Sequence, residues 1–128
     1  MAGRAEIRVL SGDVEVGRRE AQRALEMHRD LGDEVRESED LRILAGAHAA
    51  QEDWSRAEHL LLEVVERASR HQRPLLAATA RRDLAFLLHR TSRTDEAHEM
   101  ARMARVLFSG LNCAAEVRKL DSFLDGES

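Results

Sequence analysis

The chain has 128 residues, of which 34% are charged and 43% hydrophobic, and it carries a formal net charge of −4. That length suits one domain, and an acidic balance with both signs interspersed argues against a nucleic-acid footprint. A single cysteine, Cys113, excludes an intrachain disulfide and fits a reducing, cytoplasmic setting. The start, Met1-Ala-Gly-Arg-Ala, lacks the apolar core of a signal peptide, and no apolar run approaches a membrane span.

Alanine, leucine, arginine and glutamate dominate, with one proline and no tyrosine, so the composition is that of an all-α protein. Seven helices are expected. The first is short, about 2–10, and Ser11-Gly12-Asp13 breaks it. Asp13 then caps a second helix at about 14–31. Leu31-Gly32-Asp33 reads as a stop followed by a new cap, and the third helix covers about 34–51. The acidic run Asp33 to Asp40 is negative charge favourably placed at that helix's N-terminus. Asp53 caps the fourth, about 54–71. Pro74 opens the fifth, where a missing N–H costs nothing, and that helix reaches about 90. Thr91, Ser92 and Thr94 mark the next turn, the sixth helix covers about 95–109, and Gly110-Leu111-Asn112 ends it. A seventh, about 114–124, closes the fold.

A 40-residue period runs through these elements. Gly17, Ala57 and Ala97 coincide, as do Ala21, Leu61 and Ala101, then Ala24, Val64 and Ala104. Ala5, Ala45 and Ala85 form a fourth column, and Leu44, Leu84 and Leu124 a fifth. Such a period is the signature of helix pairs that stack and bury a core between neighbours. The alanines at 45, 57, 85 and 97 let antiparallel helices cross closely.

Set against Ala57, the residues Leu41, Leu44, Ala45, His48, Leu61 and Val64 fall into the pattern of a tetratricopeptide repeat, and the chain resembles that family over about residues 5–124. Ala85, Leu88, Ala97, Ala101 and Ala104 repeat the pattern, and Asp53-Trp54-Ser55-Arg56-Ala57 resembles the turn into the second helix of such a unit. Arg81 stands where the family has a large apolar residue. The resemblance implies a right-handed superhelical stack of antiparallel hairpins, with repeats at about 5–32, 33–72 and 73–112 and a capping helix at 113–124. The 40-residue length is similar to the repeats of bacterial regulatory proteins.

No catalytic constellation appears. The six histidines include no helical zinc pair, and there is no phosphate loop. His48 and Trp54 are read as packing residues, Cys113 as an inert thiol, and mid-helix Gly46 as a close helix approach or a groove opening. No enzyme activity and no cofactor are expected. The resemblance implies a protein-interaction module whose concave face is lined by Glu39, Arg42, Gly46 and Ala49 in one repeat, and by Thr79, Arg82, Phe86 and His89 in the next. Lys119 and Ser122 follow in the last helix. Arg42, Arg82 and Lys119 would present a basic ladder to an acidic or C-terminal peptide, with Phe86 as an apolar floor. The alternative is a regulatory, sensory or self-association domain of a larger transcription or signalling protein. Homodimerisation through an open end of the stack is a further expectation, whereas neither nucleic acid nor membrane is expected as a partner.

Overall fold

The computed structural model describes the backbone of residues 2–126 and the side chains of residues 13–126. It is all-helical, with no strand among the described residues: α1 (Ala2–Leu31), α2 (Glu34–Ala50), α3 (Trp54–Arg70), α4 (Pro74–Arg90), α5 (Thr94–Gly110) and α6 (Ala114–Leu124). The seven expected helices are therefore six. The break at Ser11-Gly12-Asp13 does not occur, and the backbone stays helical through it to give one helix of 30 residues. A mid-helix glycine costs only about 1 kcal/mol relative to alanine, which is too little to end a helix unaided.

The helices that follow show how a helix in this chain does end. The four from α2 to α5 are each 17 residues long. The residues at the turns, Gly32, Glu52, Gln72, Ser92 and Asn112, recur every 20 positions, all left-handed with φ between 57° and 70°. At each of them the next residue's N–H reaches a carbonyl five positions back, as in Asp53 N to His48 O (2.8 Å) and Cys113 N to Phe108 O (2.9 Å). The left-handed residue itself bonds three back, as in Asn112 N to Ser109 O (3.1 Å). These bonds satisfy helix-terminal carbonyls that would otherwise be orphaned. Asp33 then accepts from Arg36 N (3.1 Å) and Asp53 from Arg56 N (3.4 Å), the expected N-cap bonds.

Packing divides the chain into two compact units, Met1–Leu60 and Leu61–Ser128. In the first, α1 packs on α2. Their paired side chains are 8 residues apart for Arg29–Glu37, 12 for His28–Asp40 and 36 for Gln51–Glu15, the widening separation of an antiparallel hairpin. Leu41, Leu44 and Ala45 are buried as the periodicity predicts, and so are Ala21 and Leu25 of α1. The acidic run does open α2, with Asp33 as its N-cap and Glu34 and Glu37 in the first turn, and two of its acids also pack into the hairpin. Glu37 and Asp40 are buried; Glu37 accepts from Arg29 Nε (3.1 Å), and Asp40 Oδ2 lies 2.5 Å from His28 Nδ1. Buried carboxylates need such partners, because desolvation without one is costly.

In the second unit α5 packs on both α4 and α6. The core is formed by Ala78, Ala85, Leu88, Ala97, Ala101, Ala104, Phe108, Leu120 and Phe123. Ala78, Ala85, Ala97, Ala101 and Ala104 are completely buried, so α4 and α5 approach closely and the larger Phe108 and Leu120 fill the space beyond. Arg81, the departure from the apolar pattern, is half-buried and bonds Met103 Sδ through Nη1 at 3.5 Å. The side chain of Ala5, in the fourth alanine column, lies outside the described residues.

Candidate functional site

The nominated residues fall in both units. Glu39, Arg42 and Gly46 lie on α2 in the first. Glu39 is exposed, Arg42 half-buried, and a Cβ added at Gly46 would meet nothing within 4 Å. Gly46 is therefore an opening in the α2 surface and not a close helix approach. Exposed Ile43 lies one turn away on the same face.

Arg82, Phe86, His89 and Lys119 lie in the second unit, and the fold brings them together. Pro74 at the first turn of α4 and the α4–α5 hairpin fix the first three, and α6 supplies the last. Phe86, His89, Arg90, Lys119, Ser122 and Phe123 line a groove of about 460 Å³ that is open to solvent, within the size range of ligand sites. Phe123 is buried at the hub of a ring cluster. Its centroid lies 5.4 Å from Phe86, 5.3 Å from His89 and 5.7 Å from His98, all edge-to-face. Quadrupoles favour that geometry, so the cluster ties α4, α5 and α6 together and holds Phe86 in place while 39% of it stays exposed.

Arg82 sits beside this groove, a turn before Phe86, and is already engaged. Its Nη1 bonds Glu116 Oε1 at 3.0 Å, and its Nη2 bonds Asp83 Oδ1 at 3.0 Å. Burial works against its charge, yet the bonds to Glu116 and Asp83 prevail and its pKa is raised. On the other side, the hydrogen bond from Arg82 holds the Glu116 carboxyl below its ordinary range, against a smaller effect of burial. Lys119 Nζ is 3.7 Å from Glu116 Oε2 and largely exposed.

The family positions miss Arg90 and Phe123, and Arg90 is one residue beyond the nominated His89. A stripe on an α-helix advances 3.6 residues per turn, so three turns beyond Thr79 the exposed line falls near residue 90. The periodicity carries that signal. The Arg82–Glu116 bond is different, because its partners are 34 residues apart and neither periodicity nor motif announces it. Of the packing residues, His48 is mostly buried with Nδ1 3.9 Å from Asp53 Oδ2, and Trp54 is half-buried as the first residue of α3. Cys113 caps α6, packs against the core cluster, and has Sγ 3.8 Å from Leu111 O.

Among the described residues no group of three or more His, Cys, Asp or Glu could hold a metal ion, and no helix is long and apolar enough to cross a membrane. The chain is similar to BtubC (BKLC) from P. vanneervenii, known as a crystal structure, with 29% identity and a TM-score of 0.69 over 87% of this chain and 47% of that one. It thus spans about half the length of BtubC. No family model matches the chain, and no curated protein does.

Proposed function

We propose that this is a tetratricopeptide-like stack of helix hairpins with a right-handed superhelical twist, serving as a protein-interaction module. Support for the stack comes from the 40-residue columns and from the same left-handed turn recurring every 20 residues. The observation that carries the function is the α4–α6 groove. Among the described residues its lining pairs two phenylalanines with Arg90, Lys119 and His89 and contains no carboxylate. Such a surface suits a peptide segment that brings an apolar side chain next to acidic groups. The apolar residue sits against Phe86, and the carboxylates face Lys119 and Arg90. Arg42 lies in the other unit, and Arg82, beside the groove, already holds two acids.

The test is a fluorescence-polarisation titration of acidic peptides, each with one leucine or phenylalanine, against copies with Asn and Gln in place of the acids. Phe86→Ala and Lys119→Ala should each weaken the acidic peptide about tenfold, or roughly 1.4 kcal/mol. Affinity unchanged in both variants would move the binding surface off this groove.

A further inference from the structure

The groove has a cationic lining beside one well-placed acid, Glu116, and that acid serves two cations at once. Its Oε1 accepts from Arg82 Nη1 at 3.0 Å, and its Oε2 lies 3.7 Å from Lys119 Nζ. Arg67–Glu63 and Arg70–Glu66 each join residues four apart on one helix. The Arg82–Glu116 pair instead crosses from α4 to α6, and both partners are mostly covered, at 20% and 22% exposure. Arg82 keeps a second anchor in Asp83, which receives both Nε (3.3 Å) and Nη2 (3.0 Å). Asp83 therefore still anchors the guanidinium when Glu116 lets go. What Glu116 adds is a partner for Nη1 and, through Oε2, a contact to Lys119.

We propose that Glu116 is a built-in competitor for the acidic ligand of this groove, occupying Arg82 and Lys119 in the unliganded protein and giving them up to a ligand of sufficient negative charge. The proposal rests on the peptide-binding reading of the groove. An internal carboxylate acts at a high effective concentration. It lowers apparent affinity by the fraction of molecules in which it occupies the cations. A ligand with one carboxylate merely exchanges one bond for another. A ligand with several acids can meet Arg82 and Lys119 with separate carboxylates, where Glu116 must share one between them. Glu116 thereby sets a charge threshold and makes the groove selective for clustered acids over single ones.

The experiment uses the full chain and a fluorescein-labelled octapeptide with three glutamates around one leucine, alongside a copy with a single glutamate. Glu116→Gln keeps the size of the side chain and one acceptor oxygen, and removes its charge. It should tighten the single-glutamate peptide about tenfold and the three-glutamate peptide less, so that discrimination between them narrows. Adding Arg82→Gln to Glu116→Gln should cancel most of the gain. Asp125→Asn, which removes an exposed charge at the end of α6, is the control for general electrostatics. A gain that survives Arg82→Gln, or that Asp125→Asn reproduces, overturns the competitor role. So does peptide binding to the unaltered protein that Glu116→Gln leaves no tighter. Absence of binding to every variant overturns the groove as a peptide site, and the competitor with it. Thermal unfolding of each variant separates a lost fold from a lost contact.

Discussion

At single positions the backbone decides the sign of a glycine substitution in this chain. Gln72 and Glu52 hold left-handed conformations at φ 57° and 61°, which strain any side chain with a Cβ. Gln72→Gly relieves that strain, less the entropy that glycine adds to the unfolded chain, and should raise stability by about 0.5–1 kcal/mol in urea melts. Gly46 is the mirror case. It lies inside α2, where a Cβ meets nothing within 4 Å, so Gly46→Ala should also stabilise by about 0.5–1 kcal/mol. If Gly46→Ala destabilised the fold, the position would be a close approach after all. A pH effect belongs at this scale too. The Glu116 pKa is lowered on folding from its ordinary value of 4.5, chiefly by the bond from Arg82. The stability this contributes is present above pH 4.5 and is lost as pH falls below it. Arg82→Gln should therefore flatten the acid limb of the stability–pH curve, measured by urea melting between about pH 3 and pH 6. An unchanged limb would mean that other carboxylates dominate it.

Among the helices, legibility depended on how local the cause was. The boundaries of α2 to α6 were readable to within about a residue, because each is fixed by a cap or a stop within one turn of the break. Asp33, Asp53 and Pro74 are such signals, and all three sit where the sequence places them. The first helix was misread because Ser11-Gly12-Asp13 has the residues of a stop and cap, and a stop also needs a left-handed residue and two neighbours packed on either side of it. The polar seam between α1 and α2 was equally hidden. His28, Arg29, Glu37 and Asp40 become partners only once the hairpin closes. The apolar columns were the easier signal, since burial repeats with the helix period. Ala97 is completely buried against the α4–α5 crossing, and Ala97→Leu should overpack it and cost about 1–3 kcal/mol by urea melting. A cost under half a kcal/mol, roughly the scale of a surface change, would remove Ala97 from the crossing.

On the scale of the whole molecule, the groove and the chain carry opposite charge. The formal net charge is −4, while the groove is lined by Arg90, Lys119 and His89. An acidic peptide is therefore repelled by the protein at long range and attracted by the site at short range. Which effect governs is set by the screening length, about 30 Å at 0.01 M salt, 10 Å at 0.1 M and 3 Å at 1 M. At the lowest ionic strength the peptide experiences the net negative charge before it reaches the groove. Near 0.1 M the distant acids are screened while contacts within a few ångströms persist. At 1 M those contacts weaken as well. Affinity for a three-glutamate peptide should accordingly pass through a maximum at intermediate salt, whereas the Asn and Gln copy, bound by Phe86 and Phe123 alone, should show none. Fluorescence polarisation from 0.01 to 1 M sodium chloride measures both curves. A steep, monotonic fall for the acidic peptide would mean that attraction already dominates at long range, as for a strongly basic surface, and would place its binding somewhere other than a small cationic groove on an acidic protein.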